Sequence, residues 1–212
     1  MFPVIFFDVD TQRDFIEDKG AYPVKDAVVI RSRLRELAIA ARDLAIPVLA
    51  SCDSHRPDDP EFSNVPPHCI AGTKGQEKIP ETWIPGAFFV PPSGRRRPWV
   101  NMKDWKLRGG QIVVEKTTIS PFDNPATESL LRTMEPRRIV IYGVTTEGSV
   151  RAAADKCLIL GLGDVFVVGD AIRGRDPDAE HRARVELAER GAMFVTAHDL
   201  CVMAAKWMAE KR

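Results

Sequence analysis

Apolar residues along this chain fall into two patterns. Short continuous runs occupy residues 4–9, 46–51, 111–115, 138–142, 165–168 and 192–195, several of them rich in Val and Ile. Runs of that length and composition read as strands buried on both faces. Between them lie stretches whose apolar positions recur every three or four residues, at 25–43, 124–134, 147–161, 178–190 and 198–211. That recurrence predicts helices. In the first, Val28, Leu34, Leu37 and Ala41 should face inward. The second starts at Asn124, with Pro125 in the first-turn position that tolerates it. The fourth stops at Gly191. Strand and helix alternate, which predicts an α/β fold: three layers, α/β/α, around a mainly parallel six-stranded, Rossmann-like sheet.

Two stretches break the rhythm. Residues 52–110 form a long, proline-rich, mostly irregular excursion carrying Trp83, Phe88, Phe89, Trp99 and Trp105. A loop of that length inside a domain is usually functional, and most of its aromatic residues are expected in the core or at a subunit contact. The second stretch is 138–161, where a buried strand breaks at Gly143 and turns into a helix whose Val150, Ala153, Ala154, Cys157, Leu158 and Gly161 share one face. A sharp strand-to-helix turn leaves N–H groups aimed at one point beside the positive end of the helix. Ser149 sits there, where a nucleophile would have an oxyanion site beside it. The plain alternative is an ordinary strand–turn–helix with a small residue in its first turn.

Composition narrows the partners. The 212 residues are most simply one domain, 1–212, with 30 basic and 30 acidic side chains cancelling. Nothing in that balance calls for nucleic acid or an anionic membrane, and Arg95-Arg96-Arg97 reads as a solvated loop. No apolar run approaches the roughly 20 residues that span a bilayer, and since residues 4–9 already read as a strand, no signal peptide is expected. The four cysteines (Cys52, Cys69, Cys157, Cys201) form no CxxC pair, as expected of reduced thiols in a cytoplasmic protein.

Candidate chemistry collects at one edge. In an open α/β sheet, sites gather at the carboxyl ends of the strands, and Asp10, Asp53, Lys116 and Ser149 each follow a predicted strand. Any one alone reads as a surface charge or a cap; four together point to a site. Asp53, His55 and His68 fall within the irregular excursion and make an ordinary ligand set for Zn²⁺ or another first-row ion, with positions left for water. A turn-capping His and a solvated one is the competing reading. His181 and His198, near helix starts, read as structural.

These residues resemble the isochorismatase-like cysteine hydrolases. Asp10-Thr-Gln-Arg-Asp14-Phe15 is similar to the DxQxDF opening of that family. Asp53-x-His55 with the PPHCIAGTKG segment at 66–75 is similar to the metal loop of its nicotinamidase branch. Lys116 falls where the family has a catalytic lysine, and Gly143-Val-Thr-Thr-Glu-Gly-Ser149-Val resembles its nucleophile segment. The resemblance runs from about Val4 to Leu200. It implies Asp10 as proton acceptor, Lys116 as its electrostatic partner and position 149 as nucleophile, attacking a small-molecule amide to give an acyl-enzyme. It further implies a cis peptide at Val144–Thr145, oxyanion donors on Thr145 and Ser149, and a divalent metal on Asp53, His55 and His68. The metal is expected to be Zn²⁺, with Fe, Mn and Mg as alternatives, and the assembly a homo-oligomer.

The chain departs from that pattern at three positions. Ser149 stands where the family has its cysteine, Val65 where it has an aromatic that stacks on the nicotinamide ring, and Gly148 where the residue is often bulky; Phe15 matches the other ring-contacting aromatic. Cys157 lies about 12 Å along the helix from Ser149 and cannot substitute. Ser149 leaves three readings open: a cysteine-to-serine replacement that silences or traps an enzyme, a serine hydrolase, or a silent family member that binds a ligand or metal without turnover.

Overall fold

The computed structural model describes residues 1–92 and 110–210; Arg95-Arg96-Arg97, Trp99 and Trp105 lie outside them. The strands are β1 (Ile5–Val9), β2 (Val48–Asp53), β3 (Phe88–Val90), β4 (Gln111–Lys116), β5 (Arg138–Val144), β6 (Asp164–Arg173) and β7 (Met193–Val195). The helices are α1 (Arg13–Ile16), α2 (Arg31–Asp43), α3 (Pro125–Met134), α4 (Arg151–Ile159), α5 (Pro177–Glu189) and α6 (Ala197–Ala209).

The strands make one sheet in the order β3-β4-β2-β1-β5-β6-β7, parallel at every step. The sheet therefore has seven strands where six were expected. The extra one, β3, is only three residues long and sits inside the proline-rich excursion, too short to show a period. Its Phe88 packs against the core, while Trp83 and Phe89 remain exposed and stack with ring centroids 6.1 Å apart.

Each sheet face is covered by helices, which gives the three layers. On one face Phe7, Leu49, Ile112 and Ile141 pack with Leu131, Met134, Ala153, Ala154 and Cys157. On the other, Phe6, Val48, Val140 and Val168 pack with Leu34, Leu37, Leu200 and Trp207. The strand runs read as apolar because both faces are buried, so alternation separates the two cores instead of core from solvent. Asn124 caps α3 by accepting from the N–H of Ala126 at 3.0 Å, with Pro125 in its first turn.

The first predicted helix needs correcting at its start. Ala27–Ile30 form a 3₁₀ turn, and the regular helix begins at Arg31. The tighter turn swings Val28 outward to 38% exposure while Ala27 and Ile30 take its place in the core. The helix after β5 also starts late. Thr146–Val150 make a wide π-type turn in which Gly148 has φ −105° and ψ −107°, and α4 follows from Arg151. Gly161 lies past the end of α4 at φ +59° and is exposed rather than packed.

Chain order places the site. From β1 the chain moves outward to β2 and the edge strands, then returns to the other flank of β1 as β5. The crevice past the carboxyl ends of β1 and β5 is thus the switch point of the sheet, where α/β ligands bind. Gly143, next to last in β5, has φ +122°, and a Cβ there would fall 1.9 Å from the carbonyl oxygen of Val9. Only glycine lets β5 approach β1 this closely before the chain turns into the crevice.

Candidate active site

The crevice holds a cavity of about 340 Å³ whose wall includes Asp10, Phe15, Asp53, Val65, His68, Thr145 and Ser149. Lys116 stands behind that wall and bonds Asp10 and Asp53 on it, and His55 lies beside Asp53 with its Nε2 3.8 Å from Oδ2. Cavities of about 410 Å³ beside Arg35 and Ile84 and about 440 Å³ beside Lys78 and Trp83 contain none of Asp10, Asp53, Lys116 and Ser149.

Lys116 is the hub. Its buried ammonium lies 2.8 Å from Oδ2 of Asp10, bonds Oδ1 of Asp53, and donates to the carbonyl of Thr118 at 2.9 Å. Three donors meet three acceptors, so the charge is fully satisfied. Burial works against the ammonium, but Asp10 and Asp53 outweigh it and raise its pKa above the ordinary lysine range. The two carboxylates respond in opposite directions. Burial lifts Asp10 above its usual value despite Lys116. Burial also pulls Asp53 upward, but Lys116 and His55 outweigh it and hold Asp53 low. Asp10 is therefore the carboxylate readier to take a proton, and Asp53 stays anionic. Ser51 Oγ donates to Oδ1 of Asp10 at 2.6 Å and fixes its orientation.

Asp53, His55 and His68 offer ligand atoms that all lie within 4.8 Å of one another. Oδ2 of Asp53 is 3.8 Å from Nε2 of His55 and 3.9 Å from Nε2 of His68, too far for hydrogen bonds. Each Nδ1 has an acceptor, Asp59 Oδ2 at 3.1 Å for His55 and the carbonyl of Pro66 at 2.8 Å for His68. Those contacts set the tautomers so that both Nε2 lone pairs face Asp53. Nε2 of His55 is buried with no hydrogen-bond partner. A divalent ion would satisfy all three atoms, and the donor set suits Zn²⁺ with positions left open.

Two motif residues hold this arrangement. The amide of Gln12 donates to the carbonyl of Asp53 at 2.8 Å and accepts from its N–H at 2.7 Å. Asp14 accepts from the N–H groups of Cys69 at 2.7 Å and Ala21 at 2.9 Å, tying the His68 loop to α1. Ser149 is nine-tenths buried in the turn after β5, and the Val144–Thr145 peptide preceding it is cis. A Cβ at Gly148 would fall 2.5 Å from Oγ1 of Thr145, so this turn has no room for the bulkier residue without moving Thr145. Phe15 and Tyr22 flank the His68 ring at 5.3 and 5.0 Å, and Val65 completes that side.

The structure places Asp10, Phe15, Asp53, Val65, His68, Thr145 and Ser149 on the cavity wall and Lys116 and His55 beside it. Tyr22, Glu147 and Arg175 also line the cavity and were not singled out by the sequence pattern. Arg175 had one legible signal: it follows a predicted strand, as the other four edge residues do.

The parallel α/β sheet thus sets a carboxylate–ammonium–carboxylate chain beside a possible metal-ligand triad. The isochorismatase-domain profile matches residues 4–199, and the chain belongs to that family. Among solved structures, a zinc complex of pyrazinamidase from Pyrococcus horikoshii is similar at 26% identity and TM-score 0.73, covering 92% of this chain and 99% of that one. N-carbamoylsarcosine amidase from Thermoplasma acidophilum is similar at 27% identity and TM-score 0.68, covering 93% and 97%. Nicotinamidase 1 of Arabidopsis thaliana is 46% identical over 61 residues, a match spanning 27% of this chain and 25% of that protein. Among the described residues no helix is long and apolar enough to cross a membrane.

Proposed function

We propose that the protein is a metal-dependent hydrolase of a small amide, acting through an acyl-enzyme on Ser149. The observation that carries this reading is the convergence of Ser149, Asp10, Asp53 and His68 on one cavity wall, with His55 beside Asp53 and Lys116 bonded to both Asp10 and Asp53.

Ser149 Oγ attacks the amide carbonyl as its proton passes to a carboxylate oxygen of Asp10. Lys116 stabilises Asp10 as an anion beforehand and keeps it aimed by its second bond to Asp53. The N–H groups of Thr145 and Ser149 receive the developing oxyanion. The C–N bond then breaks, and the proton held by Asp10 goes to the departing nitrogen, releasing ammonia or an amine. Water enters, gives a proton to Asp10 and attacks the ester carbonyl. Cleavage of the ester bond returns a proton to Ser149 and frees the acid. A divalent ion on Asp53, His55 and His68 would supply Lewis acidity and a coordination position for a substrate heteroatom or for water.

A second reading rests on Ser149 itself. A hydroxyl is a far poorer nucleophile at neutral pH than a thiolate, and a lone carboxylate is a weak base for it. The chain would then bind an amide or a metal without turning over. Ammonia release from a panel of small amides, with Zn²⁺ and after chelation, separates the two. Metal-dependent release supports the hydrolase, and tight binding without release supports the silent module.

A further inference from the structure

Arg175 has a role in the cavity that the catalytic scheme does not use. It follows β6, at the same sheet edge as Asp10, Asp53, Lys116 and Ser149, and lines the cavity with Ser149. Its guanidinium carbon sits 3.4 Å from the centroid of the Tyr22 ring and 5.7 Å from that of Phe15. Terminal nitrogens donate to the carbonyls of Tyr22 at 2.9 Å and Pro23 at 3.0 Å. Its backbone N–H donates to Oε1 of Glu147 at 2.8 Å, which joins it to the turn carrying Ser149. A guanidinium has five N–H donors, and these contacts use two of them.

Two consequences follow for what can occupy the cavity. The faces of Tyr22 and Phe15, against which a flat heteroaromatic ring would stack, already carry a cation. Val65 offers no ring in exchange. At the same time the guanidinium forms no ion pair with any carboxylate side chain among the described residues, and it is partly desolvated. Burial lowers its pKa, and Tyr22 and Glu147 only partly restore it. Asp10, Asp53, Glu61 and Glu147 also line the cavity and oppose an anion. Lys116 pairs with Asp10 and Asp53, the charge of Arg175 itself balances that of Glu147, and a divalent ion at the triad would offset Glu61. A planar fork with free donors, held on the cavity wall by Tyr22 and Pro23, matches a carboxylate.

We propose that Arg175 is the specificity-determining residue of this cavity and that the substrate is a small acyclic amide carrying a carboxylate, bound through that carboxylate to the guanidinium. The inference rests on the amide-hydrolase reading for its turnover but not for its binding, so the two can fail separately.

The test uses the Zn²⁺-loaded full chain and its Ser149→Cys variant. Succinamic acid is compared with its methyl ester and with nicotinamide by ammonia release. Succinate binding is measured in parallel by calorimetry. The expected result is a kcat/KM at least ten-fold higher for succinamic acid than for its methyl ester, carried mainly by KM. Arg175→Gln should bring that ratio close to one and weaken succinate at least ten-fold, and Arg175→Lys should restore part of both. Unchanged melting of the variants shows that the fold is intact. Succinate binding that depends on Arg175 without release of ammonia from any amide keeps the inference and sinks the hydrolase reading. Preference for nicotinamide or the methyl ester, or succinate binding indifferent to Arg175→Gln, overturns the inference.

Discussion

The ammonium of Lys116 lies 2.8 Å from Oδ2 of Asp10, and both groups are withdrawn from water. Lys116 thereby favours the anion of Asp10 in a place where burial favours the protonated form. Replacing Lys116 by Met removes the one cation between two buried carboxylates. Uncompensated buried charge of this kind costs about 3 to 5 kcal/mol, to be read by urea unfolding in saturating Zn²⁺. Loss of Lys116 also removes the largest influence that lowers Asp10, so the acid limb of ammonia release should move up in pH. Unchanged unfolding would show that the pair contributes nothing.

The ligand triad predicts stabilisation by metal. An ion that binds only the folded chain adds about 2.7 kcal/mol when present at 100 times its dissociation constant. Zn²⁺ should therefore raise the melting temperature of the native chain and bind at one equivalent by elemental analysis. His68→Ala should abolish the rise, since it removes an Nε2 that faces Asp53. No rise, with less than a tenth of an equivalent bound, would contradict the site.

A second buried pair lies apart from the proposed chemistry. Nζ of Lys78 is 2.9 Å from Oδ2 of Asp8 and donates to Oγ1 of Thr11 at 2.8 Å. Burial raises the pKa of Asp8 even with Lys78 beside it. A folded-state pKa above the unfolded one gives stability that is complete below about pH 3.9 and is lost as pH rises through the folded value. Lys78→Met, which takes away the cation, should thus be destabilised by about 3 to 5 kcal/mol at pH 7 and recover much of that near pH 4. Adding Asp8→Leu should rescue stability at pH 7. Denaturant melts of the three proteins at both pH values check the sign.

Thiol reactivity should divide sharply. Burial pushes Cys52 up to about 12 and Cys201 up to about 11, and moves Cys69 and Cys157 higher still. Iodoacetamide at pH 8 should label the native chain slowly and at Cys201 first, because the other three are fully buried. A thiol introduced by Ser149→Cys faces the cavity beside the Lys116–Asp10 pair and should be labelled at least ten-fold faster than any of these. Peptide mass spectrometry reads the order directly.

Much of this was legible in the chain, for physical reasons that differ by residue. The 138–142 run is dominated by β-branched residues and bounded by glycine, so both its strand and its turn could be read locally. Asp10, Asp53, Lys116 and Ser149 could be placed because strand ends define an edge whatever the pairing. Strand β3 could not, since Phe88–Val90 becomes a strand only by pairing with β4. Val28 was misplaced because a 3₁₀ turn changes the angular step between side chains. The Asp8–Lys78 pair joins positions 70 residues apart, and Asp8 sits within an apolar run that masks its charge. Tyr22 and Arg175 meet across 153 residues, a juxtaposition that no local pattern encodes.

Acyl transfer from position 149, with its oxygen limiting the rate, is tested by ammonia release from the native chain and from Ser149→Cys, each loaded with Zn²⁺, on one panel of carboxylate-bearing and neutral small amides. We predict metal-dependent release that is slow with serine and at least a hundred-fold faster with cysteine, since the swap changes one atom and supplies an accessible thiolate. No release from either protein, with the fold and the bound metal intact, would contradict it.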